Sequence, residues 1–255
     1  MALGLLLIAS LGRTASAQQP LMVSDLRLSG NSVERVLYLS AATPSATVVL
    51  LPGGDGVISI DSAGSVAPGG NFLVRTRAFW VAQGFNVVLP APPNGQSLMG
   101  RRSKPEYAAA LDQVIDFARS RSNAPVWVIG TSQGSVAAVN AGAHLSGKLA
   151  GVVLTSSVTE WSGSGETSFD ANPALIQIPA LVVANTSDSC RASPPADAPR
   201  LLAAMVRSPH KDLLMVDSRQ IRSDPCEAMS PHGYLGIETT VVQRIGDWIK
   251  AASAH

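Results

Sequence analysis

A serine stands between two glycines where an apolar run gives way to small residues. Residues 130–134 read Gly-Thr-Ser-Gln-Gly, and the apolar residues 126–129 precede them. Such a turn between a strand and a helix projects the serine hydroxyl from a strained backbone, and glycines at both ends avoid collisions across the turn. The backbone N–H after the serine then points to where an oxyanion would form. Ser132 is therefore the candidate nucleophile, with an ordinary Gly/Ser turn as the alternative.

A serine nucleophile requires a base, and only one of the four histidines is well placed to be that base. After a turn of this kind, an orienting acid and then a histidine follow along the chain. His144 falls within a predicted helix, His210 precedes a predicted strand, and His255 is the last residue. His232 lies in a loop between the last predicted strand and helix, where its ring can reach the strand ends. We predict His232 as the base; the alternative is a surface histidine with a local hydrogen bond.

Asp188 is the first candidate for the acid. It follows the apolar residues 180–184, which puts its carboxylate just past the carboxyl end of a predicted strand, where it can hold the far nitrogen of His232. An aspartate that only closes an Asx turn is the alternative interpretation. Four rival carboxylates lie in neighbouring loops: Glu160, Glu166, Asp170 and Asp217.

A glycine-rich segment after an early apolar strand offers a second oxyanion donor. Residues 52–56 read Pro-Gly-Gly-Asp-Gly. Because glycines let backbone N–H groups face a reacting carbonyl, we predict an oxyanion hole formed by the N–H groups of Gly54 and Gln133. Asp55 is the next choice for the loop donor and an expected substrate-binding residue. A hairpin-like glycine turn is the alternative.

The elements that must carry these residues alternate between strand and helix. Residues 105–121 give the clearest helix, with apolar positions every three or four residues and Pro105 in the first turn. The alternation from residue 47 to the end predicts an α/β fold, with a mostly parallel central sheet and helices on both faces. Predicted strands cover residues 33–39, 47–51, 86–89, 126–129, 150–154, 180–184 and 213–216, and predicted helices cover 72–83, 105–121, 135–145, 199–206 and 237–251.

Composition excludes several classes of protein. The chain has 255 residues, 46% apolar and only 15% charged, and its formal net charge is +1. Disordered proteins and coiled coils carry more charge, and binding to nucleic acid calls for a basic surface, so none of these classes fits. A chain of this size buries enough apolar surface to fold without a structural metal. We expect no metal or organic cofactor.

The amino-terminal segment predicts export. Residues 2–11 are apolar and residues 15–17 read Ala-Ser-Ala, the small-x-small pattern that signal peptidase cleaves. This apolar run is too short to span a bilayer, which needs about 20 residues. We interpret residues 1–17 as a signal peptide and residues 18–255 as a single domain, periplasmic or extracellular, without a stable membrane anchor. A buried first strand is the alternative for residues 1–17.

Export also bears on the two cysteines. In an oxidising compartment, Cys190 and Cys226 predict a disulfide. Because Cys190 lies two residues after Asp188 and Cys226 six before His232, the bond would limit the independent motion of their loops.

These motifs, in this order, resemble the α/β-hydrolase superfamily from about residue 33 to residue 250. The chain looks closest to small bacterial exported hydrolases of the dienelactone-hydrolase-like kind, although the namesakes of that group use a cysteine where this chain has Ser132. It also departs from lipases and esterases with a His-Gly-Gly-Gly motif, because Pro52 stands at the histidine position.

The triad and the resemblance together predict a serine hydrolase that cleaves carboxylic esters through an acyl-enzyme. Its partner would be a small-molecule ester. The alternatives are an amidase or peptidase with the same triad, and a non-catalytic binding module.

The segment between the strands that end at residue 154 and begin at residue 180 bears on the substrate. It is too polar and too rich in Gly and Ser for the amphipathic cap helix of many lipases. We therefore expect no large cap domain, an open site and short or small aromatic esters as substrates. Trp161 is a candidate substrate-binding wall; the alternative is a ring that covers the edge of the sheet.

Overall fold

Alternating strands and helices build one main sheet. The computed structural model describes residues 21–253, so the predicted signal peptide and His255 lie outside the described residues. The strands are β1 (Leu21–Arg27), β2 (Val33–Leu39), β3 (Ala46–Leu51), β4 (Ser59–Ile60), β5 (Val66–Ala67), β6 (Phe85–Pro90), β7 (Val126–Thr131), β8 (Gly151–Thr155), β9 (Ala180–Asn185) and β10 (Lys211–Val216). The helices are α1 (Phe72–Arg75), α2 (Arg77–Ala82), α3 (Pro105–Arg121), α4 (Gln133–His144), α5 (Ala198–Ala204) and α6 (Glu238–Ala252).

The main sheet has eight strands in the order β1-β2-β6-β3-β7-β8-β9-β10. Neighbours from β6 to β10 are parallel, whereas β2 runs antiparallel to both β1 and β6. Parallel neighbours need crossover connections, and the helices between the strands supply them. The mostly parallel sheet predicted from the sequence is therefore confirmed.

Both faces of the central strands are buried. Along β3, Val49 and Leu51 join the apolar cluster under α3 and α4, while Val48 and Leu50 join the cluster under α1, α2 and α6. Alternate side chains of a strand point to opposite faces. A strand covered on both sides must be apolar throughout, which is why these strands read as unbroken Val and Leu runs.

Apart from shifts of one or two residues at element boundaries, the structure differs from the predicted elements in three places. The helix predicted over residues 72–83 is divided at Thr76, where φ is −93° and ψ is 0°. The hydroxyl of Thr76 donates to the carbonyl of Phe72, and this local bond accompanies the break. The strand β1 and the short β4–β5 hairpin were not predicted, because neither has the sustained apolar run of a buried strand. No helix among residues 21–253 is long and apolar enough to cross a membrane.

Candidate active site

The turn between β7 and α4 holds Ser132 in an unusual backbone conformation. Its φ is 53° and its ψ is −126°, and its N–H donates to the carbonyl oxygen of Thr155 on β8 at 2.9 Å. A side chain at Gly130 would overlap the carbonyl of Gly134, and one at Gly134 would overlap the carbonyl of Leu51 on β3. The turn therefore closes only with glycine at both positions, and Ser132 lines a cavity.

His232 and Asp188 form a buried pair. Nδ1 of His232 lies 2.8 Å from Oδ2 of Asp188, and only 4% and 7% of these residues are exposed. Oδ1 of Asp188 accepts the backbone N–H of Cys190 at 2.9 Å, so the Asx turn and the histidine use different oxygens. Nε2 of His232 has no hydrogen-bond partner among the described residues. His232 and Ser132 line the same cavity, and no hydrogen bond joins this nitrogen to Oγ of Ser132 in the structure.

Buried hydrogen bonds anchor the histidine loop to the sheet. The hydroxyl of Tyr234 donates to the carbonyl of Val183 on β9 at 3.0 Å and accepts the N–H of Ser156 at 2.9 Å. Oγ of Ser156 donates to the carbonyl of His232 at 2.7 Å, and Nδ2 of Asn185 donates to the carbonyl of Pro231 at 2.8 Å. Burial raises the pKa of Tyr234, so its hydroxyl remains a donor. Sequence analysis does not identify Ser156 and Asn185 as residues that support the site. Their position at the ends of β8 and β9 is the one sequence signal that could have done so.

The four rival carboxylates and the two rival histidines within residues 21–253 have other surroundings, and neither of these histidines lines the cavity. His144 ends α4, and His210 stacks on Trp248. The four carboxylates engage other groups: Glu160 pairs with Arg200, Glu166 accepts two backbone N–H groups, Asp170 caps a turn at Thr167, and Asp217 accepts the hydroxyls of Thr186 and Ser187.

The loop after β3 packs directly against the turn that carries Ser132. A Cβ atom at Gly53 would lie 2.7 Å from Cβ of Ser132, so only glycine allows this approach. The carbonyl of Gly53 accepts the N–H of Gly56 at 3.2 Å, and the carbonyl of Asp55 accepts the N–H of Leu98 at 2.7 Å. These bonds occupy the carbonyls of Gly53 and Asp55 and the N–H of Gly56.

The structure places both predicted oxyanion donors at the cavity. The N–H of Gly54, whose φ is 62°, has no acceptor among residues 21–253. The N–H of Gln133 belongs to the first turn of α4, where amides lack a partner within the helix. Gly54, Gln133 and Asp55 all line the cavity with Ser132.

The cavity itself has a volume of about 410 Å³. Its floor is the turn that carries Ser132, and its sides are the loop after β3 and the loop that carries His232. Two carboxylates, Asp55 and Glu227, belong to its lining, and no Lys or Arg of the described residues does. The lining therefore favours neutral or cationic ligands over anionic ones.

Cys190 and Cys226 form a disulfide that also lines the cavity, with their Cα atoms 4.6 Å apart. The bond joins the segment just after Asp188 to the segment just before His232. It closes a loop across a sequence separation of 36 residues.

The segment between β8 and β9 forms no large cap. It contains only two short 3₁₀ turns, Ser168–Ala171 and Pro173–Leu175. Trp161 is 71% exposed and does not line the cavity; its neighbour Ser162 does. The ring lies on the surface because the Gly/Ser-rich segment around it offers no apolar partner. Among residues 21–253 there is no group of three or more His, Cys, Asp or Glu that could hold a metal.

Solved structures with the same architecture identify the fold. The chain is similar to an esterase of Pyrococcus furiosus (TM-score 0.67, 12% identity, 92% of this chain and 92% of that chain). It is also similar to a cold-adapted esterase from an Arctic intertidal metagenomic library (0.61, 13%, 92% and 97%) and to dienelactone hydrolase from Anabaena variabilis (0.62, 15%, 91% and 97%). The chain has the α/β-hydrolase fold. No protein-family model and no curated protein sequence matches it.

The positions of Ser132, Asp188 and His232 match the order of functional residues that is usual in the α/β-hydrolase fold. In this fold the nucleophile stands on a strand-to-helix turn at the carboxyl edge of the sheet, and the acid and histidine follow it along the chain. Ser132 after β7, Asp188 after β9 and His232 before α6 occur in that order.

Removing the disulfide should impair the site. We expect the double variant Cys190→Ala, Cys226→Ala to lose about 4 kcal/mol of stability, because a loop of this length gains entropy in the unfolded chain. Its kcat should also fall several-fold, because Asp188 and His232 then move independently. Urea unfolding and ester kinetics measure the two effects. Dithiothreitol should reproduce both losses in the wild type and have no further effect on the variant. An unchanged kcat in the variant would mean that the disulfide contributes to stability but not to catalysis.

Proposed function

We propose that this protein is a serine hydrolase that cleaves carboxylic esters of small, soluble substrates through an acyl-enzyme. The observation that carries the proposal is the 2.8 Å pair of His232 and Asp188, of which His232 lines the same cavity as the strained Ser132. A lone serine on a tight turn serves many purposes. A buried histidine that has one nitrogen held by a carboxylate and the other left without a partner fits a general base.

Each residue has a distinct part in the proposed reaction. Oγ of Ser132 attacks the acyl carbon while Nε2 of His232 takes its proton, and Asp188 stabilises the imidazolium that forms. The N–H groups of Gln133 and Gly54 bind the oxyanion of the tetrahedral intermediate. His232 returns the proton to the leaving alcohol, and the acyl-enzyme remains. Water then attacks the acyl-enzyme with the same base and releases the acid.

Three observations support small esters as the substrate class. The cavity of about 410 Å³ accommodates a short acyl group and a small alcohol, and no cap helix extends it. Two of the similar structures are esterases. The carboxylates of Asp55 and Glu227 make an anionic substrate less favourable than a neutral one.

Hydrolysis of p-nitrophenyl esters of graded chain length tests the proposal. We expect the highest kcat/KM with acetate to butyrate, and p-nitroanilides of the same acyl groups should be far slower. A fluorophosphonate probe should label Ser132, as mass spectrometry of the peptides can establish. Faster cleavage of the anilides would favour an amidase or peptidase, and absence of both turnover and labelling would favour a binding module.

The charge of the cavity lining leads to a further prediction. 3-Acetoxybenzamide should be hydrolysed about three to ten times faster than 3-acetoxybenzoate. The two esters have nearly the same shape, but the benzoate carries a negative charge that the carboxylates of Asp55 and Glu227 repel. Glu227→Gln should narrow this ratio, and so should added salt. Equal kcat/KM for the two esters in the wild type would mean that the lining does not sense charge.

A further inference from the structure

A fully buried arginine lies behind the glycine-rich loop of the site. Arg102 has no exposed surface, although it belongs to a basic stretch before α3 that reads as a solvated surface. Nη2 of its guanidinium donates a long hydrogen bond, 3.4 Å, to the carbonyl of Pro52, the first residue of the loop. Nη1 has no partner among the described residues. The charged group is therefore directed at the loop rather than at a buried carboxylate partner.

The loop is held between the nucleophile on one side and the arginine on the other. At one end, Gly53 approaches Ser132 so closely that a Cβ atom would lie 2.7 Å from the serine Cβ. At the other end, a Cβ atom at Gly56 would lie 2.7 Å from Nη2 of Arg102. Three of the five residues between positions 52 and 56 are glycines, which favour no single conformation by themselves. Contacts from both sides must therefore fix the loop.

The backbone of Arg102 is fixed independently of its side chain. The carboxylate of Glu166 accepts the N–H groups of Arg102 and Ser103 at 3.2 Å and 2.9 Å. Nδ2 of Asn140 on α4 donates to the carbonyls of Arg102 and Lys104 at 2.8 Å and 2.9 Å. Because these bonds use only backbone atoms of this segment, the guanidinium is not needed to hold the segment in place.

A buried guanidinium in this setting costs stability. Burial lowers the pKa of Arg102, and the nearby Tyr107, Glu166 and Asp55 oppose that effect only in part. An apolar side chain of similar volume often does as well or better at such a position. The cost suggests a role for the charge other than stability.

We propose that Arg102 is a positioning residue for the oxyanion site, an inference that rests on the proposed function. Its guanidinium holds the Pro52 carbonyl and the loop behind it, so that the N–H of Gly54 stays aimed at the acyl oxygen. Its positive charge also lies behind the loop whose N–H group would bind the oxyanion, the substrate oxygen on which negative charge accumulates in the tetrahedral intermediate. Both effects act on the transition state rather than on the bound ester.

Two variants and one matched control test this role. Arg102→Met removes the charge while keeping an apolar side chain, and Arg102→Lys keeps the charge with fewer donors. Arg101→Met removes the exposed neighbouring charge and serves as the control. We expect Arg102→Met to lower kcat for p-nitrophenyl butyrate about 10- to 100-fold with KM within threefold. Arg102→Lys should recover part of that loss, and Arg101→Met should match the wild type.

Hydrogen exchange provides a readout that does not depend on turnover. Amides of residues 53–57 should exchange faster in Arg102→Met, and peptides from α3 and α4 should be unaffected. A kcat within twofold of the wild type in a folded Arg102→Met would overturn the proposal. So would equal losses in Arg102→Lys and Arg102→Met, or a change in KM alone. If the wild type hydrolyses no ester, the proposed function fails, and exchange in residues 53–57 still decides whether Arg102 holds the loop.

Discussion

Ser132→Ala should reduce the hydrolysis of p-nitrophenyl esters by a factor of about 10⁴ or more in kcat. Removal of the hydroxyl leaves His232 and the oxyanion donors in place, yet no acyl-enzyme forms. The residual rate would come from water attack assisted by the remaining groups. Rapid-quench or steady-state measurements with active-site titration provide the comparison, and the variant should show no burst of p-nitrophenol.

The matched control is Ser120→Ala, a serine on α3 whose hydroxyl contacts only the carbonyl of Phe117. Both variants should unfold at about the wild-type urea concentration, because Ser132 lies at a cavity and packs little apolar surface. Ser120→Ala should keep the wild-type kcat. If Ser132→Ala keeps more than about one hundredth of the activity, a different nucleophile operates and the assignment of Ser132 is wrong.

A second large effect concerns stability and comes from Glu34 on β2. This glutamate is fully buried on the face of β2 that also carries Val36 and Tyr38, and neither carboxylate oxygen has a partner among the described residues. Burial raises its pKa to about 8. In the folded protein the side chain therefore stays protonated at neutral pH, whereas in the unfolded chain it ionises near the ordinary glutamate pKa of about 4.3.

The sign of the pH dependence follows from these two values. Between about pH 4.5 and pH 8 the folded state holds a proton that the unfolded state has lost, so stability falls as the pH rises. Below that window both states are protonated and Glu34 contributes no pH dependence. Above it the cost is complete, on the order of several kcal/mol, because each unit of pKa difference corresponds to about 1.4 kcal/mol.

Glu34→Gln should remove this dependence. An amide is close in shape to the protonated carboxyl and does not ionise, so the variant should equal the wild type near pH 4.5 and exceed it by several kcal/mol at pH 8.5. Urea unfolding at the two pH values measures the difference. Glu106→Gln, an exposed glutamate of α3, is the control and should change little at either pH. A Glu34→Gln variant whose advantage does not grow with pH would mean that Glu34 is ionised in the folded protein.

The parts of the fold that the sequence predicts well are those where one physical signal dominates. The helix α3 spans Pro105–Arg121 as predicted, because its apolar period and its initial proline agree. The buried strands appear as apolar runs for the reason that both faces are covered. The edge strand β1 is half exposed and mixed in composition, so no run marks it. The break at Thr76 is accompanied by one local hydrogen bond, and the spacing of apolar residues carries no signal for it.

Some features of the candidate site can likewise be predicted from the sequence, and others depend on the tertiary structure. Positions after strand ends are readable from the sequence, and the structure brings Asp188 to 2.8 Å from His232, although the catalytic roles of both remain predictions. The contacts that hold this pair come from distant residues such as Tyr234 and Ser156 and depend on the packed sheet. Arg102 is the clearest case: the sequence analysis does not single it out, and only the tertiary structure reveals its burial.

The close approaches of Gly53, Gly130 and Gly134 to the serine turn bear on how this chain tolerates mutation during evolution. These positions have no side chain and perform no chemistry, yet at each a methyl group would collide with the backbone or with the serine. Alanine is the smallest change that mutation offers there, and even alanine would displace the turn that carries Ser132. The sites around Ser132 where substitutions are purged most strictly would thus include residues that no search for reactive groups would select.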